Sequence, residues 1–215
     1  MQGNVASRLL GLMLAGLVFG TAGGVAMATE EAAYRVEKTD GHFQVRQYSP
    51  QVVAEVLVDG TLEEAGNKGF GPLFSYISGA NRAKGKIPMT APVTQQRDGE
   101  KIAMTAPVGQ EAVGNRWAVT FMMPAHTTLE TLPVPTDEKV RLRAIPARRL
   151  AAVRYSGTWS QHGYEHHLAQ LREWMKAQGL AAAGDPIWAR YNAPFTPWFL
   201  RRNEVLVPLE QGERN

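Results

Sequence analysis

Between Lys86 and Val108 the chain writes one phrase twice, Lys86-Ile-Pro-Met-Thr-Ala-Pro-Val93 and then Lys101-Ile-Ala-Met-Thr-Ala-Pro-Val108. The run between the copies, Thr94 to Glu100, is polar and holds Asp98-Gly99, a pair that readily takes the positive φ angles of a hairpin turn. Two antiparallel strands are therefore expected. Each copy carries a proline just before its closing valine. Proline cannot donate to a ladder and belongs at an edge, a bulge or a strand end, so the hairpin should be bent and open on one side. Ile and Met on one face of such a strand would make a rim for an apolar ligand. The same residues equally suit a structural hairpin whose methionines fill gaps in the core.

The first 28 residues read differently from the rest. Arg8 precedes the apolar run Leu9 to Phe19, and a small-residue tract ends in Val25-Ala-Met-Ala28, the A-x-A form of a signal-peptidase site. Export with cleavage after Ala28 is expected. The alternative, an uncleaved anchor, would need about 20 apolar residues to span a bilayer, and the run is about half that. No cysteine offers a lipid anchor, and no twin arginine is present. Residues 29 to 215 then form the expected domain. Its charge is weak, 22 basic against 20 acidic residues once Arg8 is removed, and no basic stripe is interleaved with aromatics, so nucleic acid is not an expected partner. The lack of cysteine excludes disulfides, thiolate metal sites, cysteine nucleophiles and covalent C-x-x-C-H haem attachment.

Along the chain, Glu30 to Asp40 is charged and reads as an irregular lead-in. Phe43 to Tyr48 alternates apolar with polar, Ser49-Pro50 interrupts, and Val52 to Val58 resumes as a strand. Thr61 with Glu64 three residues on is a capping box, opening a helix from about Leu62 to about Ile77. Gly66, Gly69, Gly71 and Pro72 predict a break near Gly71. Beyond it Phe70, Leu73, Phe74 and Ile77 share one face, and Ser78-Gly79 closes the helix. Arg116 to Pro124 reads as a strand, and Ala125 to Glu138 as a crossover loop. The second half then echoes the first at an offset of 97 residues, Arg46 falling on Arg143, Ala54 on Ala151, Val56 on Val153 and Gly60 on Gly157. A helix from about Gln161 to Gln178, with Leu168, Leu171, Trp174 and Met175 on one face, precedes closing strands at Pro186 to Tyr191 and Glu204 to Leu209. The fold class is thus α+β: two duplicated strand-strand-helix-strand-strand halves, about 40–124 and 139–210, form a distorted antiparallel sheet or barrel carrying two long helices. A groove along the pseudo-axis is a natural ligand site.

Several of these stretches resemble the SOUL haem-binding protein family: Gly69 to Asn81, Lys86 to Val93, Phe121-Met-Met-Pro124, Val153-Arg-Tyr-Ser-Gly157 and Tyr191 to Val205. The resemblance covers nearly all of the chain after residue 28. It implies a distorted antiparallel barrel with two long helices, related in shape to GyrI-like ligand-binding domains, and non-covalent binding of haem or another tetrapyrrole. It further implies an apolar groove, with basic groups meeting the propionates, and histidine as a ligand in some members. Haem-binding members place basic side chains on the first helix, where this chain has Lys68 among Gly, Asn and Ser.

Haem needs an apolar slot, cations at its propionate edge and, in some sites, an axial His or Met. Candidates for the slot are Phe74, Ile77, Met89, Met104 and Met122, with Phe195, Trp198 and Phe199 from a late loop rich in proline; ordinary core is the other reading of each. Arg201 and Arg202 beside that loop suit a carboxylate of the ligand, or else a bridge to Glu204 and capping of carbonyls. Lys68, Arg82 and Lys86 rank second. His162 and His166, four apart, share a helix face and are the axial candidates, with a solvated face as the alternative; His42 and His126 fall in loops. No G-x-S-x-G, H-E-x-x-H or phosphate-cradling loop is present, and Glu204 with Tyr76 or Tyr191 is the sole pairing for a hydrolase. The expectation is a monomeric, exported, periplasmic protein that binds a tetrapyrrole as carrier, buffer or sensor and is not an enzyme. A binding module for another apolar anion, and then a small-molecule hydrolase, stand behind it.

Overall fold

Apolar alternation along the chain becomes the ladder of one sheet. In the computed structural model, which describes residues 29–84 and 99–210, short β1 (Glu30–Glu31) and β2 (Tyr34–Asp40) lead into β3 (Phe43–Tyr48) and β4 (Gln51–Val58). Helix α1 (Leu62–Ile77) follows, then β5 (Asn81–Arg82), β6 (Thr105–Ala106), β7 (Val108–Val113) and β8 (Arg116–Met122). After β9 (Val134–Pro135) come β10 (Arg141–Ile145), β11 (Arg148–Tyr155), α2 (Gln161–Ala177), β12 (Ile187–Arg190) and β13 (Asn203–Pro208). A 3-10 turn, Trp198–Leu200, precedes the last strand.

Nine of these strands form one sheet in the order β10-β4-β8-β7-β12-β13-β11-β3-β2, with antiparallel neighbours throughout. The seam is β7 beside β12. Outward from it, one side runs β7, β8, β4 and then β10, and the other runs β12, β13, β11 and then β3 and β2. The result is the expected α+β class, a large curled antiparallel sheet with two helices. Helix α1 covers β4 and β8, and α2 covers β11 and β13. Under α1, Leu73, Tyr76 and Ile77 pack on Val56, Val119 and Phe121. Beneath α2, Leu168, Leu171, Trp174 and Met175 pack on Val153, Val205 and Val207. Because strand side chains alternate, Tyr48, Met122, Leu150, Ala152 and Leu206 fall on the opposite face, where Ala32 joins them.

Three expectations need correction. The charged lead-in forms β1 and β2; almost every side chain of β2 is exposed, so an edge strand there leaves no apolar alternation to read. The break near Gly71 does not occur. Helix α1 runs on through Pro72, because its last turns bury Leu73, Tyr76 and Ile77 and because the Tyr76 hydroxyl donates to the Pro133 carbonyl at 3.0 Å. That packing outweighs propensity costs of about 1 kcal/mol per Gly and about 3 kcal/mol for Pro. Finally, the second copy of the doubled phrase is not one strand. Lys101–Met104 is irregular, and Thr105–Ala106 pairs in parallel with Glu30–Glu31; the first copy lies outside the described residues.

The glycines of α1 permit close approach instead of breaking the helix. A Cβ at Gly69 would lie 2.5 Å from the Val119 side chain, and one at Gly66 would lie 2.5 Å from the Arg190 guanidinium, whereas one at Gly71 would meet nothing within 4 Å among the described residues. Gly69→Ala is expected to cost about 1–3 kcal/mol through overpacking. Gly71→Ala should stabilise by about 0.5 kcal/mol through unfolded-state entropy. Denaturant midpoints of the two variants check both signs.

Candidate ligand-binding site

Over the β7–β12 seam, where Val108 pairs with Arg190, lies a cavity of about 480 Å³. That volume is within the roughly 300–1,000 Å³ of small-molecule sites. Helix α1 supplies Gly66, Asn67, Phe70 and Phe74 to one wall. The segment through β6 supplies Met104, Thr105, Ala106 and Val108 to another. Thr29, Trp159 and residues Arg190 to Phe195 complete the lining. Helical spacing stacks Phe70 on Phe74, with ring centroids 5.6 Å apart. The walls are mostly apolar, and the rim is open: Phe74 is 47 % exposed, Met104 43 % and Phe195 90 %.

Arg190 is the charged group of this lining among the described residues, and the candidate residues named from the sequence did not include it. It is 7 % exposed. One terminal nitrogen donates to Gln110 Oε1 at 2.8 Å, while Nε has no hydrogen-bond partner among the described residues. Its guanidinium carbon lies 4.1 Å from the ring centre of Trp188 and 5.0 Å from that of Trp159. Burial pulls its pKa down to about 10, and the nearby charge of Arg201 adds to the fall. The available signal was an arginine closing the apolar run Ile187-Trp-Ala-Arg190 of an expected strand, which the structure buries along its whole length.

The other candidates are dispersed. Ile77 is in the core under α1, and Met122 lies on the opposite face of the sheet beside Ala32. Met89 and Lys86 are outside the described residues. Trp198 and Phe199 are exposed and touch each other edge to face, but they do not line the cavity. Arg201 donates to the carbonyls of Thr196 and Pro194 at 2.8 and 2.7 Å, holding the 192–201 loop in shape, and lies over Trp159. Lys68 pairs with Glu64 on the helix surface, and Arg82 is exposed in β5. His162 and His166 are exposed on α2, and among the described residues no group of three or more His, Cys, Asp or Glu gathers for a metal. No histidine lines the cavity among the described residues; Met104 offers a thioether.

Glu204 is fully buried and saturated. It accepts from Arg46 at 2.7 and 3.1 Å, from Arg202 Nε at 3.1 Å and from the Tyr191 hydroxyl at 2.8 Å. Arg202 also reaches Glu31 at 2.8 Å, tying β1 to the residue that precedes β13. Arg46 and Arg202 border a second, polar cavity of about 410 Å³ with Tyr34, His42, Gln44 and Arg154. The proposed Glu204–Tyr191 contact therefore exists, whereas Tyr76 binds Pro133 instead. Burial acts to raise the Glu204 pKa, but hydrogen bonds and charge from Arg46, with Arg202, prevail and hold it below the ordinary value. For Tyr191, burial and then the Glu204 charge push the pKa well up, keeping the phenol neutral.

A carboxylate held below its ordinary pKa stabilises the fold above that value and ceases to as pH falls through its lower, folded value. Glu204→Gln leaves Arg46 buried without its counter-ion and should cost about 3–5 kcal/mol near neutral pH. Denaturation of both proteins as a function of pH is expected to show that gap narrowing below about pH 4.5, the ordinary carboxyl value.

Residues 29–208 match the family model described as SOUL heme-binding protein. No curated protein matches the chain. Among solved structures, the C-terminal domain of EcmrR is similar at TM-score 0.57 and 11 % identity, covering 83 % of this chain and 98 % of that one. A hydrolase from Listeria innocua is similar at TM-score 0.56 and 13 % identity, covering 80 % and 94 %. A structure of the EcmrR–DNA complex is similar at TM-score 0.55 and 13 % identity, covering 79 % and 58 %. At such identities the likeness is one of fold.

Proposed function

Because the chain belongs to the SOUL heme-binding protein family, we propose that it binds haem or a related tetrapyrrole non-covalently in the cavity over the β7–β12 seam. The observation that carries this reading is the cavity itself: an apolar slot walled by Phe70, Phe74, Met104 and Val108, open at the Phe195 rim, with a buried cation beneath. Those residues fit a flat, largely apolar macrocycle that bears acid groups. Phe70 and Phe74 would hold its face, and Met104 is the thioether available to iron. Haem, when bound, would bring a redox-active iron and a Soret band to that slot. The protein serves as a monomeric carrier, buffer or sensor, and the Leu9–Phe19 run with Ala28 supports its export to the periplasm.

Binding takes precedence over catalysis. Glu204 and Tyr191 meet, but the carboxylate is engaged by two arginines and lines neither cavity described above, so it has no free lone pair directed at a substrate. Another apolar anion in place of a tetrapyrrole is favoured by the same buried cation, and direct titration separates the two.

Haemin titrated into the protein, followed by absorbance, is expected to give a saturable one-to-one Soret shift. Phe74→Ala should weaken it by about tenfold, from the loss of roughly half the burial energy of a phenyl ring. His162→Ala and His166→Ala should leave the Soret position unchanged. A folded protein without a saturable shift would overturn the tetrapyrrole reading; a shift insensitive to Phe74→Ala would place the site elsewhere.

A further inference from the structure

Two arginines are buried among the described residues, Arg46 and Arg190, and their surroundings are opposite. Arg46 meets the Glu204 carboxylate through both terminal nitrogens, and its Nε donates to Gln44 at 2.7 Å. Arg190 has no carboxylate within 4 Å among the described residues; its partners are Gln110 Oε1 and two indole rings. A buried cation without a counter-ion is costly, and a free Nε–H adds to that cost. Rings and one amide oxygen reduce it only in part.

The surroundings keep this cation in place. Gly66 leaves room for the guanidinium against α1, where any side chain would collide with it. Phe74, Met104 and Phe195 stand exposed at the rim, while Arg190 is almost wholly covered, so the cation lies at the bottom of the apolar slot. A planar guanidinium is well suited to a carboxylate, which it can meet through two parallel hydrogen bonds.

We propose that Arg190 is a carboxylate socket at the floor of the cavity, so that its ligand is an amphiphilic acid that enters acid end first. The inference rests on the tetrapyrrole reading for the identity of that acid. A tetrapyrrole then lies with a propionate on Arg190 and its apolar edge at the Phe195 rim. Selectivity follows: an ester or neutral analogue of the same shape leaves the guanidinium desolvated and unpaired, and binds weakly.

The test titrates the protein and its Arg190→Gln and Arg190→Lys variants with iron-free mesoporphyrin and with its dimethyl ester, read by quenching of tryptophan fluorescence. The diacid is expected to bind roughly tenfold to a hundredfold more tightly than the ester. Arg190→Gln should bring the two together, and Arg190→Lys, which keeps the charge but loses the fork, should restore part of the difference. Equal binding of diacid and ester by the unaltered protein would overturn the socket and leave the tetrapyrrole reading standing. If neither porphyrin binds, that reading falls, and dodecanoate against dodecanol decides the socket. Saturable quenching by the acid alone, lost in Arg190→Gln, sustains it; the same response to both, or to neither, overturns it. Circular dichroism confirms that each variant is folded.

Discussion

The carboxylate of Glu204 holds the site end of the molecule together. It sits on β13 with no solvent exposure and takes hydrogen bonds from Arg46 on β3, from Arg202 at the end of the 192–201 loop and from the hydroxyl of Tyr191. Strand β3 precedes α1 and β13 follows α2, so one buried anion ties an early strand to the last one across β11. Through Arg202 and Glu31 the same centre fixes the N-terminal arm, which in turn pairs with Thr105–Ala106 at the cavity wall. A buried pair need not add net stability, but its removal on one side is severe. Here it sets position: the 192–201 loop that closes one side of the cavity is flanked by Tyr191 and Arg202, both bound to Glu204.

The cavity depends on a second arrangement, in which side chains are missing as much as present. Gly66 and Gly69 let α1 settle on Val119 and Arg190, so the helix reaches the seam while its Phe70 and Phe74 rings stand over it. Arg201 is directed inward to the carbonyls of Thr196 and Pro194 and over Trp159, which shapes the loop and leaves Arg190 as the cation of the slot. Each of the two buried arginines thus has a distinct place, one completing the frame and the other left open to the cavity.

Much of the fold is legible in the sequence because its signals are local. The Thr61–Glu64 capping box, with both reciprocal hydrogen bonds present, the apolar face of Leu168, Leu171, Trp174 and Met175, and the alternation in β3 and β11 all depend on neighbours a few residues away. Where the reading strayed, distant contacts decide. Strand β2 is an exposed edge held by pairing with β3; α1 continues through Gly71 and Pro72 because its far face is buried; Thr105–Ala106 is a strand by virtue of Glu30–Glu31, some seventy-five residues earlier. The site divides in the same way. Phe74, Met104 and Phe195 are apolar residues in recognisable segments, and they line the cavity. Arg190 escaped notice because its meaning lies in what surrounds it: Gly66 from α1, Gln110 from β7 and two tryptophans.

If the ligand occupies the cavity over the seam, the indole N–H signals in a heteronuclear NMR titration with an iron-free porphyrin report it most directly. Trp159 lines the cavity and Trp188 lies under the Arg190 guanidinium, whereas Trp117 and Trp174 donate to the Gly60 carbonyl and to Asp40 away from it. Saturable shifts of Trp159 and Trp188, with Trp117 and Trp174 unmoved, are the predicted result. Shifts at Trp117 or Trp174 with Trp159 and Trp188 unmoved would contradict it and place the ligand on another surface.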